Sequence, residues 1–107
     1  MKLITKEIEK RAPRLYANEF REPKDIQVVA KLFTPDSSLT WYMTEYDPAG
    51  RLAFGYTRND AAPECAELGY FSITELEAVR GKFGLPVERD LHFGPATLAE
   101  VMSGAKR

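Results

Sequence analysis

The amino-acid sequence predicts an α+β domain: a central antiparallel β-meander of three to five strands, an N-terminal helix, one capped helix after the fourth strand and a short C-terminal helix. Three observations carry this expectation. Residues 25–34, 39–46 and 51–58 are rich in β-branched, aromatic and aliphatic side chains and are separated by short stretches of turn chemistry. Two Ser/Thr-x-x-Glu sequences, Ser72-Ile73-Thr74-Glu75 and Thr97-Leu98-Ala99-Glu100, have the form of capping boxes, in which a hydroxyl takes a free helix amide and the Glu reaches back to the cap. At 107 residues, 44% hydrophobic and 11% aromatic, the chain suits one domain spanning 1–107.

Along the chain, Thr5 caps a first helix with Glu7 in its opening turn, and Ile4, Ile8, Ala12 and Leu15 fall near one side. Pro13 removes a backbone donor and disfavours helix at Ala12, so the sequence predicts a break there and a restart carrying Leu15 and Tyr16. Residues 18–24 read as a loop. Pro35-Asp36-Ser37-Ser38 and Asp47-Pro48-Ala49-Gly50 supply the two turns of the meander. Residues 59–66 form a loop, 67–71 a fourth strand, and 73–80 a helix stopped by Gly81. A last short strand is expected within 87–93, and the second capping box opens the terminal helix with Leu98, Val101 and Met102 inward.

The register follows from the turns. Pairing Thr34 with Leu39 and Tyr46 with Arg51 sets Leu32 against Trp41, Ala30 against Met43, Trp41 against Tyr56 and Met43 against Phe54. These residues, with Ile26, Val28 and Leu52, make the expected core side. The opposite side carries Gln27, Lys31, Tyr42, Thr44, Tyr46, Arg51, Ala53, Gly55 and Thr57, with Tyr42 lying over Gly55. Lys31, Tyr42, Thr44, Tyr46 and Arg51 are the candidate binding residues. Tyr and Arg are enriched in protein interfaces, and aromatics flanked by cations stack on unpaired bases. A terminal helix packed over the same side would instead make the tyrosines a second buried layer.

Bulk charge narrows the function classes. With 15 basic and 16 acidic residues the net charge is −1, without the basic excess usual in general nucleic-acid binders. Cys65 is the lone cysteine, which excludes a disulfide framework and fits a reducing, cytoplasmic setting. The first ten residues lack the apolar run of a secretory signal, and no stretch is apolar enough to span a membrane. Neither a GxGxxG nor a Walker pattern occurs, and HExxH, GxSxG and SxxK are also missing. Glu88-Arg89-Asp90-Leu91-His92 gathers two carboxylates and the one imidazole. On an extended segment Glu88, Asp90 and His92 project together, as a small metal site requires, although an ion-paired edge strand accounts for the same residues.

Three segments are informative as composites: Thr40-Trp41-Tyr42-Met43-Thr44-Glu45-Tyr46-Asp47-Pro48; Glu67-Leu68-Gly69-Tyr70-Phe71-Ser72 with Glu75-Leu76; and Gly84-Leu85-Pro86-Val87-Glu88-Arg89-Asp90-Leu91-His92-Phe93. Their order and spacing, with the opening Leu-Ile-Thr-Lys-Glu-Ile, resemble the bacterial family called domain of unknown function 2958 over nearly the whole chain. The resemblance implies a small bacterial protein often carried on plasmids, integrative elements and phages. It transfers no activity and no catalytic residues.

The expectation is therefore a non-enzymatic, cofactor-free cytoplasmic domain that binds a protein partner, in a setting such as interference with host defence or maintenance of a mobile element. Single-stranded nucleic-acid binding by the Tyr/Lys/Arg face is the second reading. A metal-dependent hydrolase or nuclease centred on Glu88, Asp90 and His92 is the third. An exposed aromatic sheet face also suits a homodimer.

Overall fold

The computed structural model describes residues 1–107. In the first helix, α1 (Lys6–Arg11), the Thr5 hydroxyl accepts the Ile8 amide at 3.2 Å, with acids in the first turn and Lys10 and Arg11 in the last. That arrangement fills one free helix amide and matches the helix dipole. The helix stops before Pro13, with Ala12 extended, but the expected restart does not follow. Residues 15–20 form consecutive turns instead, and Tyr16 takes a left-handed φ of 71° that no continuing helix allows.

A five-stranded antiparallel sheet follows, comprising β1 (Ala30–Phe33), β2 (Leu39–Asp47), β3 (Leu52–Asn59), β4 (Glu67–Ser72) and β5 (Glu88–Arg89), in the order β4-β3-β2-β1-β5. Helix α2 (Ile73–Ala78) begins where β4 ends, and α3 (Leu98–Ser103) lies near the C-terminus. Of the two predicted capping boxes one is complete, Thr97 with Glu100; at the other Ser72 accepts the Glu75 amide at 3.2 Å, but Glu75 does not reach back to the cap. Helix α2 ends at Ala78, earlier than expected, and Gly81 is not its cap. The following loop is tied to Asp36, whose carboxylate accepts the amides of Phe83 and Leu85 at 2.7 and 3.1 Å. Asp36 also fills the space beside Gly81 that a Cβ would need.

The β1–β2 register is the expected one, with Leu32 opposite Trp41 and Ala30 opposite Met43. The β2–β3 register differs. Trp41 faces Thr57 and Met43 faces Gly55, and after a bulge at Thr44 the pairs become Glu45–Phe54, Tyr46–Ala53 and Asp47–Leu52. The turn is longer than expected because Arg51, with φ 52°, belongs to it rather than to the strand. The extra residue at Thr44 also reverses which side chains of β2 point to which face. Gly55 is required here, since an added Cβ would lie 1.8 Å from the Tyr42 carbonyl oxygen.

Both faces of the sheet are covered, which corrects the expectation of a single core side. One face joins Leu32, Trp41, Met43, Tyr46, Ala53 and Phe71 to Leu3, Ile4 and Ile8 of the N-terminal segment, to Ile73 and Leu76 of α2, and to Val87. The other packs Tyr42 with Ile26 and Val28 and with Ala96, Leu98 and Val101 of the C-terminal segment. Ile26 and Val28 were expected opposite this cluster. They leave the sheet before β1 starts: the Val28 amide donates to Ala96 O and the Leu98 amide to Ile26 O, so 26–28 pairs with the chain leading into α3.

Candidate functional site

None of the five predicted binding residues lies on an open sheet face. Tyr42 has no exposed surface and packs between Tyr56 and Phe93, with ring centroids at 6.4 and 6.0 Å. Burial pushes its phenol up, opposed by the Arg58 guanidinium 5.4 Å from the ring. Thr44 is buried at the bulge, where its hydroxyl donates to Phe54 O at 3.1 Å. Tyr46 lies in the opposite core, its phenol also raised by burial, with Arg51 opposing. Arg51 grips Glu77 of α2 through two bonds of 2.7 and 2.8 Å and holds that carboxyl below its ordinary value. Lys31 pairs with Asp90 at 3.4 Å. The physical causes of these differences are the bulge, which sends Tyr46 across the sheet, and the cover of α3 over Tyr42.

Glu88, Asp90 and His92 do not converge as a ligand set. Strand β5 is two residues long, so the alternation that would align the three ends at Arg89. Asp90 starts a turn, accepting the His92 amide at 2.9 Å while its other oxygen meets Lys31. No group of three or more His, Cys, Asp or Glu side chains is placed to hold a metal ion anywhere in the structure. Cys65 is exposed in a short 3₁₀ turn, Pro63–Cys65.

A different cluster comes together at the β4 end of the sheet. Because of the bulge, Glu45 shares a face with Tyr42 and Phe54 and is buried there. Its carboxylate oxygens accept the backbone amides of Tyr16 and Asn18 at 2.8 and 2.9 Å, and the Asn18 side chain donates to Thr44 O at 3.4 Å. Two charge-assisted bonds thus hold the 15–20 turn over the sheet and stabilise the left-handed backbone of Tyr16. The held turn brings the Tyr16 ring edge-on to Tyr70 of β4, 6.5 Å between centroids, and Tyr70 in turn meets Phe54 at 5.1 Å.

Between them lies a recess of about 380 Å³, whose apolar lining is Tyr16, Ile26, Phe54, Leu68, Tyr70 and Leu98. Tyr16 is 65% exposed, Tyr70 50% and Leu68 43%. The adjacent Tyr16 hydroxyl, then burial and the charges of Glu45 and Glu19, push the Tyr70 phenol above its ordinary value. An exposed group of rings with polar tips, fixed by neighbouring backbone, is the composition favoured at protein interfaces. Another recess, about 450 Å³ beside Arg11, Asn18, Arg21 and Gln27, is more polar, and Arg11 is already bonded to Val29 O at 3.1 Å.

Sequence reasoning passed over Tyr16, Phe54, Leu68 and Tyr70. The available signal was the alternation of Leu68 and Tyr70 along the fourth strand, the last of the meander. No helix is long and apolar enough to cross a membrane. Neither the curated proteins nor the solved structures contain a match to the chain. A family model described as "Protein of unknown function (DUF2958)" matches residues 3–107, essentially the whole chain, and the protein belongs to that family.

Proposed function

We propose that this domain is a non-enzymatic protein-binding module whose recognition surface is the aromatic recess formed by Tyr16, Phe54, Leu68 and Tyr70. The observation that carries the reading is exposure of three large side chains, Tyr16, Leu68 and Tyr70, around one concavity whose position is fixed by the buried Glu45 carboxylate. Association stabilises such a surface by removing apolar area from water, and a preorganised recess keeps the ordering cost low. The bacterial mobile elements implied by the family resemblance are the setting in which partners are to be sought, with host-defence factors and element-maintenance proteins as the classes to test.

The test is affinity capture from a bacterium carrying the gene, comparing wild type, Tyr16→Ala with Tyr70→Ala, and a control changed at exposed Phe83, which does not line the recess. A partner retained by wild type and by Phe83→Ala, and lost from the double variant, supports the reading. Equal retention by all three removes the recess from consideration.

Single-stranded nucleic-acid binding has one supporting observation elsewhere on the second face. Phe93 is flanked by Lys31 and Lys106 at 6.0 and 5.8 Å from its ring. Lys31 is nevertheless paired with Asp90, and Arg58 and Arg107 both meet Asp60, which lowers the local field available to phosphate. Anisotropy of a labelled oligonucleotide at low salt decides this reading: saturable binding weakened by Phe93→Ala supports it, and a flat titration sinks it.

A further inference from the structure

The outer edge of β4 is open, and the hydrogen-bond alternation along β3–β4 fixes which of its groups are free. The Ile73 amide donates to Arg51 O at 2.9 Å, in line with the ladder that pairs Leu52 with Ser72 and Thr57 with Glu67. Antiparallel ladders alternate bonded and non-bonded pairs. The bonded pairs are therefore Ala53–Phe71, Gly55–Gly69 and Thr57–Glu67, and the N–H and C=O groups of Leu68 and Tyr70 point outward. No later strand covers them, because β4 ends the sheet. The same two residues send their side chains into the aromatic recess. Gly69 between them has nothing within 4 Å of the position a Cβ would take, so the face of the strand opposite the recess is clear at that point.

Charge selects the occupant. Glu64 and Glu67 are exposed at one end of β4 and Glu75 at the other, and none of the three is in an ion pair, while within the recess Glu19 is balanced by Arg21. A second copy aligned antiparallel about Gly69 would bring the Glu64 and Glu67 end of one strand to the Glu75 end of its partner, like charge to like charge. A segment carrying Lys or Arg would neutralise them instead.

We propose that β4 accepts an added strand from a different protein: an extended, cationic segment with apolar residues at alternate positions, hydrogen-bonded to the backbone of Leu68 and Tyr70 with its apolar side chains in the recess. This rests on the recess being the recognition surface, and it specifies what that surface holds.

The probe is an end-blocked synthetic peptide, Lys-Val-Lys-Leu-Lys-Val-Lys, titrated into the full chain with amide exchange read residue by residue. A Glu-for-Lys counterpart and a copy N-methylated at the edge-facing positions serve as comparisons. The expected result is exchange at the Leu68 and Tyr70 amides slowed by about tenfold at a peptide concentration about ten times its dissociation constant. The effect should weaken with salt and be absent with the acidic and N-methylated peptides. Leu68→Pro should abolish it with Phe71 and Met43 amides still protected, since proline there removes an outward donor and spares the ladder.

No change at either amide in millimolar peptide, or an equal response to the acidic peptide, overturns the proposal. So does a concentration-dependent dimer lost in Leu68→Pro, which would make a second copy the occupant. If Leu68→Pro leaves a natural partner bound while the Tyr16 and Tyr70 double variant loses it, strand addition fails and the recess reading survives. Retention of that partner by the double variant removes the recess itself.

Discussion

The two edges of the sheet are built in opposite ways. At the β5 edge the strand has only two residues, and the chain beyond it is wrapped by the N-terminus: the Arg89 amide meets the Met1 sulfur at 3.1 Å, and its guanidinium binds the carbonyls of Lys2 and Leu3. At the β4 edge a six-residue strand lies uncovered, with Leu68 and Tyr70 exposed beside it. Short strands and covering segments are the usual protections against unwanted pairing. One edge has both and the other has neither, so the unprotected edge is the one that the proposed partner strand would use.

Damage at the centre of the sheet should erase this contrast altogether. Gly55→Ala places a methyl against the Tyr42 carbonyl, and we expect destabilisation of about 3 kcal/mol or more, read by urea denaturation. The next largest effect is expected where the open edge is assembled. Glu45→Ala removes the acceptor of two backbone amides, the Asn18 one buried, and should cost about 2–4 kcal/mol in the same measurement, with faster exchange at the Tyr16 and Asn18 amides. A variant that loses partner binding with those amides unchanged would separate the recess from its support.

Arg89→Ala tests the covered edge. It frees the Lys2 and Leu3 carbonyls and should cost about 1 kcal/mol, with earlier proteolytic trimming of the first residues. Tyr70→Ser, on the open edge, should change thermal stability little while raising solubility and weakening partner capture. An equal stability loss from both would mean that the two edges are less different than their geometry indicates.

The smallest effect concerns pH. The Arg51 guanidinium holds Glu77 below the usual carboxylate value of 4.5, so the pair contributes stability above that pH and loses it as pH falls through the lower folded-state value. The pair is partly exposed, which limits the contribution to about 1 kcal/mol at most. Glu77→Gln should narrow the difference in Tm from wild type as pH drops from 6 toward 3.

Local chemistry was legible in the sequence wherever its partners lay nearby. The Thr5, Ser72 and Thr97 caps join residues three apart, and the β1–β2 register follows from the short turn between Thr34 and Leu39. The β2–β3 register was not legible, because Gly50 looks like the residue that should adopt positive φ and Arg51 does so instead. The error carried into the site: with Tyr46 moved to one face and Phe54 to the other, the expected binding face no longer exists. The recess was hidden for a related reason. Its Tyr16 turn depends on a carboxylate 29 residues away, and short-range pattern reading does not reach that far.

The bulge at Thr44 has a consequence for how this fold tolerates sequence change. Loops ordinarily absorb insertions and deletions, whereas strand interiors absorb substitutions. Here one residue inside β2, Thr44, has no partner of its own in β3. Deleting it would leave Glu45 opposite Phe54 and Tyr46 opposite Ala53 in an uninterrupted ladder, each on its present face, and would remove the Thr44 hydroxyl bond to Phe54 O and the Asn18 bond to Thr44 O. The bulge therefore gives β2 one interior position at which the chain can lose a residue as a loop does, whereas the chemistry of the recess rests with Tyr16, Leu68 and Tyr70, which lie outside that strand.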